Sequence, residues 1–126
     1  MAAEIFQYAL LQVVPRVERG ERMNAGVVLF CRRHRFLAAR VGLDPERLRA
    51  LDPAADADTV ARHLGALAAV AAGEPSGGAL AALDQSERFH WLAAPASTVI
   101  QPSDVHTGLC EDPQTTLDRL YERLVA

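Results

Sequence analysis

The sequence has no lysine; all 13 of its cations are arginine. A phosphate-cradling loop that closes on Lys-Ser/Thr is therefore excluded, and Gly77-Gly78 is no such loop. Only two cysteines occur, too few for a disulfide framework, and neither lies in a C-x-x-C pair. The four histidines, His34, His63, His90 and His106, show no H-x-H, H-x-x-x-H or H-E-x-x-H spacing. No metal site and no cofactor is expected on that pattern. No apolar run approaches the roughly 18 residues that a membrane span needs. Met1–Phe6 carries no basic leader, so the expected location is cytoplasmic. What is present is a chain of 126 residues, 50% hydrophobic and 23% charged, which does not describe a disordered segment. Alanine supplies 23 of the apolar residues, leaving material for one modest core and a single domain over 1–126.

Charge is unevenly placed. Nine arginines and five acids fall in residues 1–50, whereas four arginines and eleven acids fall in 51–126. A basic half and an acidic half can dock on each other or on an oppositely charged partner. Arg16, Arg19 and Arg22 lie at one end of the segment 22–31, and Arg32, Arg33 and Arg35 at the other, about 30 Å apart if it is extended. Glu18 and Glu21 partly neutralise the first group. Nucleic-acid binding needs a continuous basic surface with stacking aromatics or a groove-reading helix; neither is visible, so nucleic acid is not an expected partner.

Three segments read as an antiparallel meander. Residues 4–14 are apolar throughout except for Glu4, Gln7 and Gln12, and Pro15 ends them. Residues 22–31 alternate, with Met23, Ala25, Val27, Leu29 and Cys31 predicted on one core-facing stripe. After a charged turn, residues 35–41 form the third strand. Asp44-Pro45 and Asp112-Pro113 read as helix starts, because Asp caps exposed N–H groups and proline at the first helical position loses no hydrogen bond. The spacing predicts helices at 45–51 and 57–72, the latter burying Val60, Leu64, Leu67 and Ala71, and a short helix at 79–84. Residues 88–93 and 97–101 read as strands, with Phe89 and Trp91 sharing a face, where they could line a ligand pocket although core packing is the favoured role. Residues 102–111 read as a polar connection, with Cys110 an exposed thiol. Leu117, Leu120, Tyr121, Leu124 and Val125 stripe a final helix. The expected fold is α+β: a mainly antiparallel sheet opening with a three-stranded meander, helices packed on one face. The first strand is apolar on both sides, so its second face also needs a cover, such as a dimer partner.

Candidate site residues follow from this layout. Glu21 with Asn24 beside Gly26 places a carboxylate and an amide where a ligand can approach backbone closely. Arg22 shares a strand face with Asn24, and Arg16 and Arg19 flank them as further binding candidates. His106, with Ser103, Asp104 and Thr107, is the second acid–base candidate after Glu21. Plainer readings compete with both groups and are favoured. Glu21 shapes a hairpin, Asn24 bonds backbone, Gly26 marks a bulge or makes room for Trp91, and Ser-Asp and His-Thr-Gly form turns.

The block Gly20-Glu21-Arg22-Met23-Asn24-Ala25-Gly26-Val27-Val28, followed by Arg88-Phe89-His90-Trp91-Leu92, Ser97-Thr98 and His106-Thr107-Gly108, resembles a bacterial family known only as domain of unknown function 3037. The resemblance runs from Tyr8 to the last helix. It implies no catalytic residues, but members are often encoded beside a HipA-type kinase-like protein, which implies an accessory role. The leading expectation is therefore a non-enzymatic protein-interaction module, its partner that protein or a second copy in a homodimer. The alternative is a small enzyme acting on a phosphate- or nucleotide-bearing substrate through Glu21, Asn24 and His106.

Overall fold

The computed structural model describes residues 2–126. The meander forms as expected: β1 (Glu4–Val13), β2 (Met23–Cys31) and β3 (Phe36–Val41) pair antiparallel in the order β3-β2-β1. The outer edge of β1 is paired as well, by β4 (Ile100–Pro102) and then β5 (His106–Cys110). Residues 102–111, expected as a connection, thus contain a strand. Residues of turn-forming type were recruited by the open edge of β1, which sequence-local reasoning does not see. Ser103 closes the gap between the two short strands: its N–H donates to the Leu10 carbonyl and its hydroxyl accepts from the Leu10 N–H, both at 2.8 Å.

A bulge changes which side chains share a face. Leu11 lies opposite Gly26 and Gln12 opposite Asn24, leaving Ala25 without a partner. One extra residue shifts the alternation by one step. Met23 and Ala25 therefore join Val28 and Phe30 on one face, while Val27, Leu29 and Cys31 point to the other. The single stripe from Met23 to Cys31 is corrected to two half-stripes.

Helices α1 (Pro45–Leu51), α2 (Ala57–Ala72) and α3 (Gln85–Leu92) pack on one face of the sheet, where Leu48, Val60, Leu64, Phe89 and Leu92 meet Ala9, Leu11 and Val13. Asp44 caps α1 by accepting from the Glu46 N–H at 3.0 Å, and Asp56 caps α2 through Asp58 and Thr59. Helix α2 stops at Gly73, whose φ of 72° admits glycine readily. The expected helix at 79–84 is instead a 3₁₀ segment, Pro75–Ala82, interrupted at Gly78. The expected strand 88–93 is instead the end of α3, with Ala93 as its C-cap. Asp84 accepts from the Glu87 N–H at 2.8 Å and nucleates that helix, overriding the β preference of Phe89 and Trp91. Arg88 then donates to the Ala71 and Leu83 carbonyls, tying α3 to the end of α2.

The second face of β1 has its cover within the chain. Helix α4 (Pro113–Leu124) lies there, with Leu117 and Val125 packed among Phe6, Val27, Leu29 and Cys31. Arg40 of β3 fastens it: the guanidinium sits 3.1 Å from Asp118, 3.6 Å from Glu122 and 4.2 Å above the Tyr121 ring. Each exposed pair contributes little alone, but the three act on one side chain. Among the described residues, no helix is long and apolar enough to cross a membrane.

Caps and surface pairs give the fold an acid limit. Hydrogen bonds from Thr59 hold the Asp56 carboxyl below its ordinary value of 3.8, and the bond from Arg19 holds Glu21 below 4.5. The Glu87 N–H lowers Asp84 in the same way, while Asp84 raises Glu87 and opposes part of the effect. Depressed folded values contribute stability that is complete above the ordinary values and lost as pH falls through the folded ones. The thermal midpoint is expected to fall below about pH 4, and Asp56→Asn, which caps without titrating, to flatten part of that fall in a pH series of melts.

Candidate functional site

The hairpin between β1 and β2 pairs its charges internally. Arg16 Nε lies 3.1 Å from Glu18 and Arg19 Nε 2.6 Å from Glu21, with all four side chains about half exposed or more. Arg19 keeps Glu21 ionised, which suits a surface ion pair better than a proton donor at neutral pH. Arg22 donates to the Gly20 carbonyl at 3.2 Å and to Gln12 at 3.4 Å. Asn24 spends both ends of its amide: Oδ1 accepts from Gln12 at 3.0 Å and Nδ2 donates to the Leu124 carbonyl at 3.0 Å. That second bond ties β2 to the last turn of α4. Gly26 is required by packing, since a Cβ there would stand 2.9 Å from Val41 Cγ1 and 3.2 Å from the Arg40 carbonyl. The neighbour expected to need this room was Trp91; it is β3.

His106 stands apart. It lies opposite Tyr8 on the far edge of β1, exposed, its ring 5.2 Å from the Tyr8 ring. Asn24 lies opposite Gln12 on the other edge. Four residues along the strand and two strand spacings across put His106 about 16 Å from Asn24. The structure thus links Arg22 to Asn24 through Gln12 and Arg19 to Glu21, and does not bring His106 to either.

The concave surface is elsewhere. A cavity of about 660 Å³ opens between α2, α3, the 93–99 segment and β4, with walls from Leu67, Trp91, Leu92, Val99 and Ile100 and a floor from Leu11. His63 is its sole titratable lining residue, and the Thr98 hydroxyl is already spent on the Ile100 carbonyl at 2.8 Å. A second hollow of about 390 Å³ lies on the other side of the Ala94-Pro95 segment, which lines both. Its base is the Phe30–Phe89 pair, ring centroids 5.4 Å apart, and its polar groups come from Gln7, Arg32, Ser86 and His90.

Both hollows depend on α3 being a helix. As a strand, Phe89 and Trp91 share a face. In a helix, two residues are about 200° apart, so Phe89 turns inward at 6% exposure while Trp91 stays at 43%. The signal that could have found this is Asp84-x-x-Glu87, the spacing of a helix capping box.

The cysteines offer no reactive thiol. Cys110 is buried rather than exposed, because β5 turns it toward α4, and both it and Cys31 are free. Burial, reinforced by Cys31, pushes the Cys110 thiol up to about 11, so it stays protonated at neutral pH. Among the described residues, no group of three or more His, Cys, Asp or Glu could hold a metal ion.

A family model described as "Protein of unknown function (DUF3037)" matches residues 8–125, from the middle of β1 to the residue after α4. The chain belongs to the DUF3037 family. No curated protein and no solved structure matches it. The DUF3037 match takes in nearly every residue that lines the two hollows, so they are part of the family domain; Gln7 alone lies outside it.

Asn24, the most pointed polar residue of the DUF3037 hairpin block, acts here as a brace. Asn24→Ala is expected to lower stability by about 1–3 kcal/mol, because it strands the Leu124 carbonyl and the Gln12 amide. Urea denaturation monitored by circular dichroism measures it.

Proposed function

We propose that this DUF3037 domain is a non-enzymatic accessory module that docks on a protein partner along the outer edge of β5. The observation that supports this is the pair Ile5 and Leu109. They lie directly opposite each other on β1 and β5, 65% and 69% exposed, the most exposed large apolar side chains of the described residues. Strand β5 pairs with β1 alone, so its other edge offers backbone donors and acceptors to an incoming strand. An unprotected edge beside exposed apolar side chains is a liability in a monomer and an asset in a docking module. The partner this reading favours is an extended, alternately apolar segment of the HipA-type kinase-like protein that the family resemblance implies. A second copy of the chain is the other occupant the edge would accept.

The enzymatic alternative is the less supported reading, since His106 lies opposite Tyr8 on the other edge of β1 from Asn24. Co-expression with the HipA-type protein is expected to yield a complex that co-elutes in size-exclusion chromatography. Leu109→Glu is expected to abolish it while leaving the fold intact, because the side chain is mostly in water. A chain that stays strictly monomeric and captures neither protein contradicts the proposal.

A further inference from the structure

The two hollows beside α3 differ in a way that defines one ligand. The larger is lined mainly by aliphatic and aromatic side chains, with His63 and Thr98 as its polar members and no carboxylate or arginine on its walls. It reaches a strand residue, Leu11, that is 1% exposed. A depth of that kind, on a rigid sheet, accepts an apolar body whose transfer from water drives binding. The smaller hollow has the opposite character. Arg32 stands over the Phe30 ring at 5.6 Å and reaches only a neutral hydroxyl, Ser86 Oγ, at 3.3 Å. Among the described residues, no carboxylate comes within 4 Å of its guanidinium. Asp84 feels its charge only weakly, as its principal partner is the Glu87 N–H. Gln7 and His90 line the same hollow. An arginine held over an aromatic base, with a hydroxyl, an amide and an imidazole around it, is a set of donors with no directly paired anion.

Only Ala94 and Pro95 line both hollows. Both residues are small and exposed, so no bulky side chain stands on the ridge between the hollows. We propose that the pair is one bipartite site for an amphipathic organic acid. A medium-length acyl or aryl body fills the cavity between Trp91, Leu67 and Leu11. Its carboxylate crosses the Ala94-Pro95 saddle and takes a charge-assisted bond from Arg32, with Ser86, Gln7 and His90 completing the polar contacts. The smaller hollow adjoins β5, since Gln7 pairs with Thr107, but the two proposals use different groups and are tested by different variants, Leu109→Glu for the edge and Arg32→Gln for the hollow.

Trp91 is the chain's single tryptophan, so its emission reports on the cavity without a label. The full chain is titrated with octanoate, 1-octanol and butyrate. Octanoate is expected to give a saturable blue shift at an affinity about tenfold or more above that of octanol, and butyrate none. Arg32→Gln, an exposed and tolerant position, is expected to lose about tenfold for octanoate and nothing for octanol. Val99→Asp, at the cavity wall, is expected to weaken both. Equal affinities for acid and alcohol, or an unchanged octanoate affinity in Arg32→Gln, would overturn the bipartite site. An unmoved Trp91 spectrum at millimolar octanoate would overturn the cavity as a binding site altogether.

Discussion

Strand β1 is paired along both edges and covered on both faces, and each of those four sides places another part of the molecule. Its inner edge fixes β2, and through β2 the edge strand β3. Its outer edge recruits β4 and β5, with the Ser103 hydroxyl standing in for a backbone acceptor where the two meet. Its odd-numbered side chains, Ala9, Leu11 and Val13, carry the α1–α3 layer. Its even-numbered ones, Phe6, Tyr8 and Leu10, carry α4. Such a strand cannot slip by one residue without turning both sets of side chains to the wrong layer. The bulge at Ala25 switches which residues of β2 face each layer.

The division of the chain into a basic and an acidic half is partly resolved inside the molecule. Arg40, from the basic half, holds Asp118 and Glu122 of α4 and stacks on Tyr121. Arg16 and Arg19 are matched by glutamates two residues away. Arg22 and Arg32 instead meet neutral groups, a carbonyl and an amide for the first and a hydroxyl for the second. The choice of arginine over lysine matters most at positions such as Arg32, where a planar cation can lie on an aromatic ring and still donate outward.

Much of the fold is legible in the residues. Alternation over 4–41 reads correctly as a meander, and Asp-Pro at 44–45 and 112–113 marks two helix starts. The features that escape are those decided by tertiary context. Residues 88–93 carry β-forming aromatics, yet a cap at Asp84 makes them helical. His106-Thr107-Gly108 looks like a turn, yet the Phe6 ring lies over Gly108 and turns that glycine into a packing site on β5. The bulge at Ala25 leaves no local mark except Gly26. The polar residues of the hairpin block were visible as candidates, and their geometry is that of a brace. Phe89 and Trp91 are legible as aromatics that could line a pocket, but that they line different hollows follows only from the helix.

The proposed docking edge is open, short and flanked by exposed apolar side chains. Amide hydrogen exchange along β5, measured on the free chain and in the presence of the HipA-type protein, tests the docking proposal most directly. It predicts that the outward-pointing amides of His106–Cys110 exchange rapidly in the free chain and slow when the partner is added. Protection confined to another surface, such as the hairpin around Arg19, with β5 unchanged, would contradict it.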